Sequence, residues 1–260
     1  MKRILTALVL VPATVYTVIF APWAVFLAMV AMVSLLCFHE YAAITRSFAP
    51  LGFVAGLLLL IAPPAEATVI LFLTSIAAMC LPLASASLEE SVPRAGALVL
   101  GILYIFGAWK SAILIHDLNS PQLNSGHYWL MFALVVNWAG DTGAYYIGRR
   151  FGRRKLAPMV SPGKTWEGAI ASLCAAMIFG LIFLPLTIPG TSFLKAGLIS
   201  LLANIAGQLG DLAESAVKRS AGVKDSGRLL PGHGGMLDRV DSSLFTFPVL
   251  YAVLSFLQPK

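Results

Sequence analysis

Apolar residues gather into nine runs, at about residues 4–20, 22–44, 51–62, 67–83, 95–115, 128–148, 167–187, 193–217 and 243–258, and most charged residues fall between them. A run of about 20 apolar residues is what a helix needs to cross the hydrocarbon of a bilayer. A helix also satisfies its own backbone groups there, where water cannot. The pattern predicts an all-α, polytopic integral membrane protein with about nine transmembrane helices. The third run is short for a crossing and ends at Pro63-Pro64, so it is expected to be tilted or re-entrant. Met1-Lys2-Arg3 before the first run has the look of a signal peptide, but a second apolar run follows almost at once, so a retained first helix is expected. No repeat or low-complexity linker interrupts the chain, which reads as a single membrane domain over 1–260: apolar spans in 1–127, catalytic spans and polar loops in 128–260.

Composition agrees, with 58% hydrophobic and 12% charged residues and a mean hydropathy of +0.85, where a soluble domain carries roughly 25% charged residues. The net charge of +6 does not imply a nucleic-acid partner, because the cations flank spans and form no soluble basic face. With the N-terminus inside, every one of the 18 Lys and Arg residues except Lys110, Lys195 and Lys260 lies in an inner connection. The positive-inside rule then puts the charged loops in the cytoplasm and the C-terminus outside. Cys37, Cys80 and Cys174 are isolated in apolar segments and read as packing residues.

Carboxylates within spans are expensive and functional by default. Asp141, Asp211 and Glu214 stand near the inner ends of the sixth and eighth spans, and Asp211 and Glu214, three apart, share a helix face. His39-Glu40, also near an inner end, is expected to have a structural or interfacial role. Before the seventh span lies Ser161-Pro162-Gly163-Lys164-Thr165-Trp166-Glu167-Gly168. It is not a P-loop, since Pro158 stands where the first glycine is required. A Ser-Pro-Gly turn opening a helix would still suit an anion, with Lys164 and Thr165 supplying a charge and a hydroxyl; a plain helix cap is the equal alternative. The stretch 215–241 crowds cations, carboxylates, glycines and His233 together, as a loop wrapping a charged ligand would.

Within that stretch, Ser215, Lys218-Arg219, Lys224-Asp225, His233-Gly234-Gly235 and Asp238-Arg239-Val240-Asp241 together resemble the signature of the phosphatidate cytidylyltransferase (CDP-diacylglycerol synthase) family. The resemblance extends over about residues 137–245. It implies a multi-pass enzyme of the cell inner membrane with its active site facing the cytoplasm. That enzyme joins CTP and phosphatidate to give CDP-diacylglycerol and pyrophosphate, with a divalent metal, usually Mg²⁺, and it is a homodimer. It also implies a paired metal site held by acids matching Asp211 and Asp238.

The residues suit such a reaction between two anions, where positioning and charge neutralisation dominate. Asp211 and Asp238 are the expected metal ligands, with Asp241 and Asp141 as further candidates. Lys218, Arg219 and His233 complete the catalytic set, and Ser161, Lys164, Thr165, Lys224, Asp225 and Arg239 are candidates for substrate binding. Two rival readings are a CTP-dependent polyisoprenoid-alcohol kinase, or an archaeal relative acting on an ether lipid, and an ion or proton transporter relaying through Asp141, Asp211 and Glu214. The acids cluster at inner ends, which disfavours a transport path.

Overall fold

A computed structural model of the chain describes residues 2–81, 89–118, 125–230, 232 and 234–257, with side chains defined for all of these except 2–7, 125 and 257. The apolar runs become helices: α1 (Lys2–Ile19), α2 (Trp23–Thr45), α3 (Ala49–Ile61) and α4 (Pro64–Cys80). α5 (Ser91–Gly101), a π-helical turn (Ile102–Gly107) and α6 (Ala108–His116) follow as one continuous rod. Then come α7 (Ser125–Phe151), a hairpin of β1 (Lys155–Ala157) and β2 (Ser161–Thr165), α8 (Trp166–Thr187), α9 (Phe193–Ser220) and α10 (Leu237–Leu257). Among the described residues four helices are long and apolar enough to cross a membrane: Trp23–Thr45, Ser91–His116, Trp166–Thr187 and Phe193–Ser220. The chain is a helical membrane protein. Large apolar side chains such as Phe72, Ile178 and Leu186 stand exposed on its outer surface, as contact with lipid tails allows and water would not.

Two elements depart from the sequence reading. Ser161-Pro162-Gly163, expected as a turn, is part of β2, paired antiparallel with β1. A two-stranded hairpin has only edges, so Pro162 removes no ladder bond that a neighbour needs. The last helix starts at Leu237, well before the expected 243, so Asp238, Arg239 and Asp241 sit in its first turns and not in a loop.

α3 has 13 residues, about 20 Å at 1.5 Å per residue, against a hydrocarbon core of about 30 Å. Its last carbonyls would end in an apolar setting. The Lys110 ammonium from α6 reaches them, donating to Leu60 O at 2.9 Å and Ala62 O at 2.6 Å, a cation at the negative end of a helix.

The closest packing joins α7 to α8, and α9 to both α8 and α10. Small residues allow it: a Cβ on Gly180 would lie 1.7 Å from Ser200 Oγ, and one on Gly140 would lie 2.3 Å from Asn204 Nδ2. Buried polar side chains then tie the helices together. Ser172 on α8 and Asn204 on α9 share hydrogen bonds at 3.1 and 3.2 Å, and Asn137 on α7 donates to Thr246 on α10 at 3.1 Å. Between helices in lipid such contacts supply the specificity that hydrophobicity cannot. This four-helix group carries the polar chemistry on its rim.

Candidate active site

Asp238 stands in the first turn of α10 and holds the preceding loop to itself. Its Oδ2 accepts backbone N–H bonds from Ser226 at 2.9 Å and Gly235 at 2.8 Å. Its Oδ1 accepts from Lys218 Nζ at 2.5 Å. The loop returns through a bridge between Leu230 and Gly234, and Gly234 has φ +81°, a left-handed conformation open to glycine at little strain. A Cβ there would also come within 2.6 Å of Asp238 Oδ2.

Lys218, on the inner end of α9, is buried between two acids, pairing with Glu214 one turn back as well as with Asp238. Glu214 has a side chain only 1% exposed and forms its ion pair with Lys218. The acid pair and the lysine form one interlocked unit linking α9 to α10.

A third carboxylate completes the frame. Glu40, near the end of α2, is buried and accepts from Met236 N at 2.9 Å, Leu237 N at 2.9 Å and Ser226 Oγ at 2.8 Å. It satisfies N–H groups that the start of α10 leaves open. Its expected structural role is therefore specific: it closes the loop and caps the helix that bears Asp238. The partners lie 186 to 197 residues away in sequence, and the only hint of them is a charged residue near the inner end of a span.

The hairpin faces α9. Lys164 on β2 forms an ion pair with Asp211 at 2.5 Å. Thr165 caps α8, accepting from Gly168 N at 3.2 Å, and Glu167 accepts from the backbone N–H groups of Arg153 at 3.1 Å and Arg154 at 3.2 Å. The helix-cap reading of the motif is seen at Thr165, while Lys164 is paired with an acid. Between hairpin and helices opens a cavity of about 430 Å³ lined by Asp141, Arg149, Lys164, Thr165, Gln208 and Asp211, among others. It pairs two acids with two cations at the charged rim of the bundle.

The remaining candidates are placed as follows. Arg219 braces the loop against the hairpin, donating to Val160 O at 3.3 Å and Val223 O at 3.0 Å. Ser215 approaches Asp211 at 3.4 Å. Ser161 opens β2 opposite Ala157. Asp241 lies within electrostatic reach of Asp211 and Asp141. Lys224 and Asp225 are exposed on the loop, and Arg239 is exposed in the first turn of α10. His233 lies outside the described residues. Among the described residues no group of three or more His, Cys, Asp or Glu side chains converges as a metal-binding set.

Comparison with known proteins bears on this site. The chain matches the model of a family described as the cytidylyltransferase family over residues 1–257. A phosphatidate cytidylyltransferase of Bacillus subtilis (strain 168) is 42% identical over 160 residues, 62% of this chain and 58% of that protein. One of Haemophilus influenzae is 45% identical over 139 residues, 52% and 48% of the two chains. One of Staphylococcus haemolyticus is 45% identical over 131 residues, half of each chain. The chain spans about half the length of the curated relatives it matches.

Proposed function

This chain belongs to the cytidylyltransferase family, and we propose that it is a phosphatidate cytidylyltransferase of a cell inner membrane, joining CTP and phosphatidate into CDP-diacylglycerol and pyrophosphate. The observation that carries this reading is the cavity of about 430 Å³ where Lys164, Arg149, Asp211 and Asp141 converge. Two cations and two acids facing one space suit a triphosphate and the metal that accompanies it. A phosphate oxygen of the lipid attacks the α-phosphorus of CTP, the bond from that phosphorus to the bridging oxygen breaks, and pyrophosphate leaves. Lys164 and Arg149 hold and neutralise the departing phosphates. No general base is needed, since the attacking phosphate is already ionised.

The acids suit Mg²⁺. Asp211 and Asp238 each pair with one lysine ammonium at 2.5 Å, and a metal ion would take over that place from the ammonium. Asp141 and Asp241 are additional oxygen donors within electrostatic reach of Asp211. Mg²⁺ commonly takes only one or two protein carboxylates, with water and phosphate supplying the rest. Asp211 and Asp238 would hold it, and when bound it would neutralise charge on the reacting phosphates.

Release of pyrophosphate from CTP on adding phosphatidate tests the reading. No pyrophosphate release with phosphatidate would overturn it, and release of CDP on adding a polyisoprenoid alcohol instead would point to the rival lipid-alcohol kinase. With the assay in hand, Lys164→Ala is expected to raise the KM for CTP about ten-fold and leave that for phosphatidate unchanged. Unaltered kinetics would reduce Lys164 to a brace between hairpin and α9.

The same proposal includes topology: nine crossings, the N-terminus in the cytoplasm and the C-terminus outside, supported by the alternation of Lys and Arg between connections. A reporter fused after Lys260 is expected to read as external. A cytoplasmic reading would remove one crossing, and α3 is the helix too short to defend its own.

A further inference from the structure

A second cavity, of about 400 Å³, lies on the other side of α10 from the charged one. Its walls come from α1, α2, α6, α7 and α10, and include Val11, Val33, Leu134 and Phe247. Its volume is in the range of about 300–1,000 Å³ usual for ligand sites. Its lining is apolar apart from a few hydroxyls and indoles, and Arg239 is the one charged side chain among the described residues that form it. Arg239 makes no side-chain hydrogen bond or ion pair among the described residues. The Trp109 indole N–H in the same wall is buried and also lacks an acceptor among them.

These features define what the cavity can take. An apolar groove with one guanidinium at its end complements an amphiphile with an anionic head and a hydrocarbon tail. Guanidinium binds phosphate through paired hydrogen bonds, and a buried indole N–H is satisfied by an ester carbonyl. α10 is the wall shared with the charged cavity: Ser242 faces that cavity, while Arg239, Val240 and Ser243 face the groove. Arg239 also lies within electrostatic reach of Asp141, which lines the charged cavity. A phosphate on Arg239 would therefore stand at the junction of the two spaces.

We infer that this groove is the seat of the lipid substrate, holding one acyl chain of phosphatidate along α1, α2 and α7 with the phosphate on Arg239. The inference rests on the reading of the chain as a phosphatidate cytidylyltransferase and assigns Arg239 to the lipid, not to CTP. The groove and the charged cavity then take the two substrates separately, one from the bilayer and one from water.

The test uses the full chain in mild detergent, with dioleoyl phosphatidate and dioleoyl phosphatidylcholine as probes and native mass spectrometry as the binding readout. The wild type is expected to retain one phosphatidate at least ten-fold more than phosphatidylcholine. Ala13→Trp, at an exposed position of the groove wall, and Arg239→Gln, at an exposed side chain, should each reduce that retention at least ten-fold. In the pyrophosphate assay both should raise the KM for phosphatidate by a similar factor and leave that for CTP unchanged. Equal retention of the two lipids by the wild type would make the groove a seam for bulk lipid and overturn the inference. So would wild-type retention in both variants, or a raised KM for CTP in Arg239→Gln. Selective retention lost in the variants, in a protein that releases no pyrophosphate, would uphold the groove while overturning the proposed reaction.

Discussion

Asp211→Asn and Asp238→Asn are each expected to lower kcat at least about 100-fold, or roughly 2.7 kcal/mol of barrier at 1.36 kcal/mol per decade. Asp211 lines the charged cavity opposite Lys164. Asp238 anchors the start of α10 through Lys218 and two backbone N–H groups. If both carboxylates serve one metal cluster, losing either removes most of the charge neutralisation that cluster supplies, worth several kcal/mol. The double variant should then be little slower than either single one, because groups acting as a unit are not additive. Titrating Mg²⁺ in the pyrophosphate assay would also show a raised requirement in both variants. Additive losses would assign the two acids to separate tasks, and near-normal activity in either would end the shared-metal reading.

Lys218→Met is expected to be the most destabilising substitution in the charged region. The lysine is 8% exposed and lies against a glutamate that is 1% exposed. Without the ammonium, Glu214 and Asp238 would be left as neighbouring buried charges. Breaking a buried pair by removing one partner costs about 3–5 kcal/mol. The measurement is the midpoint of unfolding in SDS titrated into detergent-solubilised protein. Lys218→Met/Glu214→Gln should recover a substantial part of the loss, since it removes one of the two stranded charges. A Lys218→Met protein as stable as the wild type would mean that water or another cation already reaches these acids.

Features with local causes were legible in the sequence. Apolar runs at 22–44 and 167–187 became α2 and α8 nearly residue for residue, because span length and composition are written in consecutive residues. The spacing of Asp211 and Glu214 puts them on one face of α9, and Glu214 pairs there with Lys218 one turn on. Features that depend on residues far apart are not written in any one stretch. Ser161-Pro162-Gly163 has turn chemistry, yet pairing with Lys155–Ala157 makes it strand. Lys110 is a charge inside an apolar run, and its reason lies in carbonyls 48 and 50 residues away. The early start of α10 was hidden because the groups that stabilise it belong to α2 and to the returning loop.

Glu40 bears on how far this protein can be divided. The signature residues lie toward the C-terminal end, which invites the idea of a portable catalytic half. Three of the hydrogen bonds that shape the signature loop nevertheless end on a carboxylate in the second helix. A fragment lacking that helix would keep its chemical groups and lose their scaffold, with the Met236 and Leu237 amides left without an acceptor at the start of a helix. The smallest transplantable unit therefore has to include α2.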